Sequence, residues 1–295
     1  MQISAQTRMV GIIGYPVRHS LSPLMHNAEF RRLGLDFVYL AWEVPGTALA
    51  AAVAGLRALG AVGFNVTVPH KQAVVAELDT LTDEARAIGA VNTVRFEQGR
   101  AVGCNTDADG WRQDIESEIA LQGATVCIIG AGGAARAVAV GACRAGAASI
   151  IICSRRLETA EALGELVHHF FPQVNVSWSS LAGDHCRELI RSAAIVVNAT
   201  PVGMAGKGGT PIPAQWLVPD QFVYDTIYTP AETQLLREAR QRSCRVRNGI
   251  GMLVRQGAED VLADGVGAEV GGVLRHRRAR AGGAPRPGRR CARRA

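Results

Sequence analysis

The chain carries thirty-two lysines and arginines, and only two of them are lysines, Lys71 and Lys207. Arginine supplies positive charge nearly everywhere else. A guanidinium keeps its proton at every ordinary pH, whereas a lysine amine in a desolvated site can give one up. A lysine retained in so arginine-rich a background points to a position where proton exchange is the property needed. Lys71 ends the run NVTVPHK (65–71), and Asp107 lies in CNTDADG (104–110). An amine and a carboxylate brought together in a cleft form an acid–base pair, able to protonate a developing alkoxide and to take that proton back from a hydroxyl.

Other polar residues cluster around this pair. Ser20 and Ser22 stand two apart just ahead of a helix, where two hydroxyls and helix-terminal N–H groups make a cradle for a carboxylate. Helix capping explains Ser22 equally well. Asn65 and Thr67 fall on one side of a short strand that Pro69 ends, and Asn92 lies in GAVNT (89–93). Parallel sheets place ligands at the carboxyl edge of their strands. Two serines, two asparagines, a threonine, a lysine and an aspartate on one such edge describe a site for a small, hydroxylated, anionic molecule. His19 and His26 have no metal-like partners in the sequence and read as structural, so no metal is expected.

A second motif concerns a nucleotide. GAGGAAR (130–136) follows the apolar run ATVCII (124–129) and opens an alanine-rich helix. Gly130, Gly132 and Ala135 occupy the small-residue positions of a dinucleotide fingerprint: a tight turn, a close approach to pyrophosphate, and close helix–strand packing. The next strand ends at Cys153, and Ser154, Arg155 and Arg156 follow. An NAD site usually has a carboxylate there for the ribose 2′-hydroxyl. Guanidinium groups suit a 2′-phosphate instead, which favours NADP. Glu158 is close enough to reach the ribose if the loop is displaced.

These residues need an α/β scaffold, and the pattern supplies one. Strands are expected at 9–14, 37–42, 63–68, 90–96, 100–104, 124–129, 149–153, 195–199 and 222–225. Helices are expected from Ser22, with Ser22 as cap and Pro23 at the first position, and at 47–59, 72–78, 83–88, 109–122, 159–170 and 249–262. Strands separated by helices argue for parallel α/β layers. With 295 residues, 48% hydrophobic and 20% charged, the chain is large enough for about two domains. That composition excludes a disordered chain or a small disulfide scaffold. No apolar run approaches the roughly 18 residues of a membrane span, and the N-terminus has no signal-peptide pattern. Seven scattered cysteines without a CxxC pair read as reduced cytoplasmic thiols. The net charge of +6 is misleading, because nine arginines and no acid lie in 275–295. The rest of the chain is mildly acidic, so a nucleic-acid partner would rest on that tail alone, and none is expected. From 264 onward the Gly/Ala/Arg/Pro-rich composition is that of a disordered segment.

The sequence resembles the shikimate dehydrogenases. The resemblance runs from about Met9 to Gln256 and rests on HSLSP (19–23), NVTVPHK, GAVNT, NTDADG, GAGGAAR, NATPVGM (198–204), YDTIYTP (224–230) and NGIGMLVRQ (248–256), in that order. It implies NADPH-dependent reduction of 3-dehydroshikimate to shikimate, in the pathway to aromatic amino acids. It also implies an N-terminal α/β substrate domain (1–112), a Rossmann-type doubly wound NADP domain (113–248) and a C-terminal helix (249–263) returning to the first domain. By the same resemblance Ser20 and Ser22 bind the substrate carboxylate. Asn65, Thr67, Asn92, Asp107, Tyr228 and Gln256 line the substrate site, and Lys71 and Asp107 are the catalytic pair. Gly130, Ala131, Gly132, Gly133 and Ala134 hold the pyrophosphate, and Ser154, Arg155 and Arg156 the adenosine phosphate. Asp83, Thr200, Thr226 and Gly249 are further cofactor positions, and a homodimer is compatible. Two alternatives stay open: a quinate/shikimate dehydrogenase using NAD or NADP, and a non-catalytic nucleotide-binding protein with a basic tail.

Overall fold

The computed structural model describes residues 3–263; the arginine-rich tail expected over 264–295 lies outside the described residues. The first sheet contains β1 (Arg8–Gly14), β2 (Phe37–Glu43), β3 (Gly63–Val66), β4 (Thr80–Leu81), β5 (Thr93–Glu97) and β6 (Arg100–Cys104), in the order β2-β1-β3-β5-β6-β4. β1 runs parallel to β2 and β3, but β5 is antiparallel to both β3 and β6. The sheet is therefore mixed: the strand pair expected at 90–96 and 100–104 is an antiparallel hairpin, whereas alternation of strands and helices elsewhere implied parallel strands. The cause is local. Gln98 and Gly99 both take positive φ, 50° and 79°, the geometry of a two-residue hairpin turn that sends the chain straight back.

This reversal has a consequence for the site. Because β5 runs against its neighbours, its first end lies beside the last ends of β3 and β6. Asn92, just before β5, thereby shares an edge with Thr67, just after β3, and with Asp107, just after β6. The helices of this half are α1 (Ser22–Leu33), α2 (Leu49–Ala58) and α3 (Asp83–Ile88). The cap of α1 is Leu21, with no side-chain bond, so Ser22 is the first helical residue rather than the expected cap. The reason is that the Ser20 hydroxyl accepts the Ser22 N–H at 3.2 Å, which starts the turn one residue early.

The second sheet is fully parallel. Its strands are β7 (Thr125–Ile129), β8 (Ser149–Ser154), β9 (Asn175–Ser180), β10 (Ile195–Asn198), β11 (Phe222–Asp225) and β12 (Arg245–Asn248), ordered β12-β11-β10-β7-β8-β9. Counted within this half the order is 3-2-1-4-5-6, the doubly wound arrangement whose ligand crevice opens between its first and fourth strands. Helices α5 (Gly133–Arg144), α6 (Leu157–Phe170), α7 (Asp184–Ser192) and α8 (Gln234–Gln241) cover its faces. β9, β12, α7 and α8 had no expectation attached. Both strands are sheet edges and mostly polar, NVSWSS and RVRN, so they lack the apolar run that marks a buried strand.

Between the halves runs α4 (Asp107–Glu116), and α9 (Ile250–Ala263) packs along it. Two glycines allow this close packing. A Cβ at Gly141 of α5 would lie 2.8 Å from the Ala108 carbonyl, and one at Gly110 of α4 would lie 3.0 Å from the Gln256 nitrogen. α9 also reaches back to α1, since a Cβ at Gly257 would collide with Met25. Asp114, fully buried on α4, locks the junction. Arg247 donates to both of its oxygens, at 3.0 and 2.6 Å, and the Tyr224 hydroxyl donates at 2.9 Å. Arg255 of α9 stands 3.5 Å away. One carboxylate thus ties α4 to β11, β12 and α9. Asp114→Ala leaves the Tyr224 hydroxyl and part of the Arg247 guanidinium without a partner, so it should lower unfolding stability by about 3 kcal/mol, measured by urea denaturation.

Candidate active site

A cavity of about 380 Å³ opens between the carboxyl edges of the two sheets. All nine residues expected on its substrate side line it. At its centre Lys71 Nζ donates to Asp107 Oδ2 at 2.5 Å, with Asp107 1% and Lys71 16% exposed. The other Asp107 oxygen, Oδ1, is buried and accepts nothing from the described residues. It faces a site rich in hydroxyl and amide groups as a free acceptor. Asp107 owes its position to a local turn: the Asn105 side chain accepts the Asp107 N–H at 3.0 Å and donates to the Ala90 carbonyl at 2.9 Å. Asp107 is therefore the first residue of α4, two earlier than the helix expected from Asp109, and its carboxylate sits at the positive end of the helix dipole.

The neighbouring amides divide their roles. Asn92 accepts from the Thr106 N–H at 2.9 Å and donates to the Thr106 hydroxyl at 2.8 Å, fixing the turn before α4. Asn65 lines the cavity, yet its amide is engaged within the protein. It accepts the Tyr39 hydroxyl at 2.6 Å and donates to Thr93 at 3.0 Å and the Asn92 carbonyl at 3.4 Å. Ser20 and Ser22 lie together at the start of α1, and Thr67, Tyr228 and Gln256 complete the ring of polar groups. Burial raises the Tyr228 phenol above its ordinary range, so it is a neutral hydroxyl at physiological pH.

The nucleotide motif forms the opposite wall. Gly130 directly follows β7 with φ of +113°, and a Cβ there would lie 3.0 Å from Thr200 and 3.1 Å from the Ala199 carbonyl. Gly132 caps α5 and has open space where a Cβ would be, which leaves room for an anion against the N–H groups of the first turn. Gly133 packs against the stem of Lys71: a Cβ there would lie 2.8 Å from Lys71 Cβ. Two motifs sixty residues apart thus meet in van der Waals contact. Thr226 and Gly249 also line the cavity. Ser154, Arg155 and Arg156 lie beyond it at the end of β8, with both arginines exposed and the Ser154 and Thr159 hydroxyls 3.0 Å apart.

Residues 12–94 match the family model described as shikimate dehydrogenase substrate binding domain, and residues 125–209 one described as NADP oxidoreductase, coenzyme F420-dependent. A shikimate dehydrogenase (NADP(+)) of Methanopyrus kandleri is 44% identical over 88% of this chain and 90% of its own. A Listeria monocytogenes shikimate 5-dehydrogenase solved with shikimate and NAD superposes with a TM-score of 0.80 at 37% identity, over 89% of this chain and 93% of its own. The Thermus thermophilus shikimate 5-dehydrogenase, solved with NADP(H) and shikimate, gives 0.77 at 36% identity, over 87% and 93%.

The chain belongs to the shikimate dehydrogenase family.

Its architecture is that of the family, an N-terminal substrate domain followed by a Rossmann NADP-binding domain. Not every expected residue of this shikimate dehydrogenase relative reaches the cleft. Asp83, expected beside the cofactor, points to solvent with its side chain 98% exposed and pairs with Arg86. The Thr82 hydroxyl caps α3 by accepting the Ala85 N–H, and this places Asp83 on the outer side of the first turn. His19 was expected to be structural but lines the cavity. His26 is buried and stacked on Tyr39, ring centroids 4.3 Å apart, and burial lowers its imidazole to about 4. Among the described residues no cluster of His, Cys, Asp and Glu could hold a metal ion, and no helix is long and apolar enough to cross a membrane. Lys207, to which no motif assigned a role, lines the cleft on a glycine-rich loop. The scarcity of lysine, the signal that singled out Lys71, marks Lys207 as well. Gly133→Ala should keep the fold but displace Lys71 near its backbone, lowering kcat about tenfold or more in steady-state assays.

Proposed function

We propose that this chain is an NADP-dependent shikimate dehydrogenase, reducing 3-dehydroshikimate reversibly to shikimate within aromatic amino acid biosynthesis. The observation that carries the reading is the 2.5 Å contact of Lys71 with Asp107, set against Gly133 of the dinucleotide loop. A proton donor and a nucleotide cradle share one cavity, which is the arrangement that reduction of a ring ketone needs. The division of the chain proposed with it gives 1–112 to the substrate, 113–248 to the cofactor, and 249–263 to a helix packed back on the first unit.

NADPH, when bound, supplies the hydride. The protein's own groups do the rest. Lys71 gives a proton to the oxygen of the ketone as negative charge grows there, and recovers it in the oxidative direction. Asp107 Oδ2 fixes the amine, and its second oxygen, unpartnered among the described residues, accepts from a ring hydroxyl. Ser20 and Ser22 hold the carboxylate, helped by the start of α1. Thr67, Asn92, Tyr228 and Gln256 bind the remaining hydroxyls, while Asn65 acts through Tyr39 and Thr93. Gly130 to Ala134, with Thr200, Thr226 and Gly249, bound the cofactor site, and Gly132 supplies its open space. Arg155 and Arg156 meet the 2′-phosphate. A cytoplasmic location accords with six buried free cysteines among the described residues. A homodimer accords with β2, which lies at the edge of its sheet.

The purified chain should oxidise shikimate with NADP+ and turn over quinate or use NAD+ poorly, as followed by absorbance of the reduced nicotinamide. Lys71→Ala should lower kcat at least about 10²-fold with little change in KM, because it removes a group that acts in the transition state. Near-normal turnover in that variant would sink the assignment. Replacing both Arg155 and Arg156 with Glu should raise KM for NADP+ about tenfold or more by removing charge-assisted bonds, and leave that for NAD+ nearly unchanged. Equal effects on the two cofactors would mean that the pair does not read the phosphate.

A further inference from the structure

Behind the Rossmann wall of the cleft lies a carboxylate that the chemistry above does not use. Asp225, the last residue of β11, is fully buried. Its Oδ1 accepts from the Asn198 amide at 3.0 Å and from the Ile227 N–H at 3.1 Å, and its Oδ2 accepts from the Thr233 hydroxyl at 2.6 Å. Asn198 is equally buried. It accepts from the N–H and the hydroxyl of Thr200, at 3.0 and 2.7 Å, and donates to the Val202 carbonyl at 3.2 Å. The Thr226 N–H donates to the Asn198 backbone carbonyl at 3.0 Å. The network thus holds two loops at once, 199–202 after β10 and 226–230 after β11. Thr200, Thr226 and Tyr228 of these loops all line the cavity.

Asp225 forms no ion pair among the described residues. The groups presented to it from β10 and α8 are Asn198 and Thr233, and its register partner on β12 is Asn248, all uncharged. Tyr224 and Tyr228, on either side in sequence, are held neutral by burial. Farther out, Lys71, Asp107, His19 and Lys207 line the cavity, and Glu232 pairs with Arg237 and Arg240 at the surface. A lone buried carboxylate is costly, and burial pushes this one up to about 6. Three convergent donors explain its geometry. Stability alone does not explain its charge, since a well-packed neutral group would be cheaper there.

We propose that Asp225 is a positioning residue, which binds the Thr200 and Tyr228 loops into one rigid wall of the active site without touching substrate or cofactor. This rests on the dehydrogenase reading. An Asn at 225 keeps the shape and the acceptor for Asn198 and Ile227, and its amide can donate to the Thr233 oxygen. An Ala keeps neither.

The experiment compares the wild type with Asp225→Ala and Asp225→Asn, scoring shikimate oxidation, NADP+ binding by titration calorimetry, and thermal unfolding from pH 4.5 to 8. Asp225→Ala should lower kcat about 10²-fold through misplacement of the wall. Asp225→Asn should restore kcat to within about tenfold of the wild type. Asp225→Asn should also unfold no earlier than the wild type at pH 8, because a buried charge is gone. The folded carboxyl binds its proton more tightly than the unfolded one. The wild type should therefore gain stability relative to Asp225→Asn as pH falls through about 6, and lose that gain as pH rises. Wild-type kcat and KM in a folded Asp225→Ala would overturn the proposal, as would an Asp225→Asn enzyme as slow as Asp225→Ala. If Asp225→Ala does not fold, Thr233→Val removes one donor instead and should lower kcat in a folded protein; unchanged kinetics there would likewise overturn it. A wild type that binds NADP+ but turns over no shikimate would sink the dehydrogenase reading, while the pH dependence of unfolding still reports on Asp225.

Discussion

A buried aspartate and a half-buried lysine, 2.5 Å apart, are stable together only if the backbone holds both before any ligand arrives. Much of the molecule meets that requirement. Asp107 is set by the turn through Asn105 and by the first N–H groups of α4, and Lys71 by the short strand β3 and the Pro69 turn after it. The lysine stem is then pressed between its own sheet and Gly133 of the other one. The Lys71–Asp107 pair therefore lies at the contact of the two sheets, and its geometry reports how they sit together.

Helix α4 is the beam that sets this relation. Its first residue is catalytic in the proposed reaction, and Asp114, two turns on, is tied to the far strands of the Rossmann sheet and approached by Arg255 of α9. Residues 107 and 114 fall on nearly the same stripe of a helix. A rotation of α4 would move the active-site carboxylate and strain the buried ion pair together. The glycine contacts at 110 and 141 remove the side chains that would otherwise keep α5 and α9 at a distance. Arg144 of α5 pairs with Glu84 of α3, and Arg136 donates to the Ile88 carbonyl at 3.5 Å, so the two halves are also joined through α3 and α5.

Much of the site was legible in the chain because its chemistry is local. The dinucleotide turn needs glycine at fixed offsets beside an apolar strand, and residues 124–136 state that directly. The two lysines stand out by rarity, and both line one cavity. What escaped the reading depended on partners distant in sequence. Asp83 looks like its neighbours in a capped helix start, and only the direction of that turn sends it to solvent. His19 looks like any polar residue before a helix, and only the assembled cavity shows it among the lining residues. Asn65 carries a free amide on paper, but Tyr39, twenty-six residues earlier, occupies it. The edge strands β9 and β12 carry polar residues because one side of each is open, so periodicity has little to work on.

The amino-acid order by itself determined the class of fold and the nucleotide turn, and it singled out the candidate acid–base residues and the arginines proposed for the adenosine end. Each follows from short-range rules: alternation of apolar runs, backbone freedom at glycine, and the proton chemistry of one side chain. Tertiary structure decided the rest. It set the β5–β6 hairpin against β3, so that Asn92 joined Thr67 and Asp107. It brought Gly133 against Lys71 and aimed Asp225 at two loops. Those outcomes depend on which surfaces pack together, and packing is settled by the summed shape and polarity of side chains far apart in the chain, which no local pattern records.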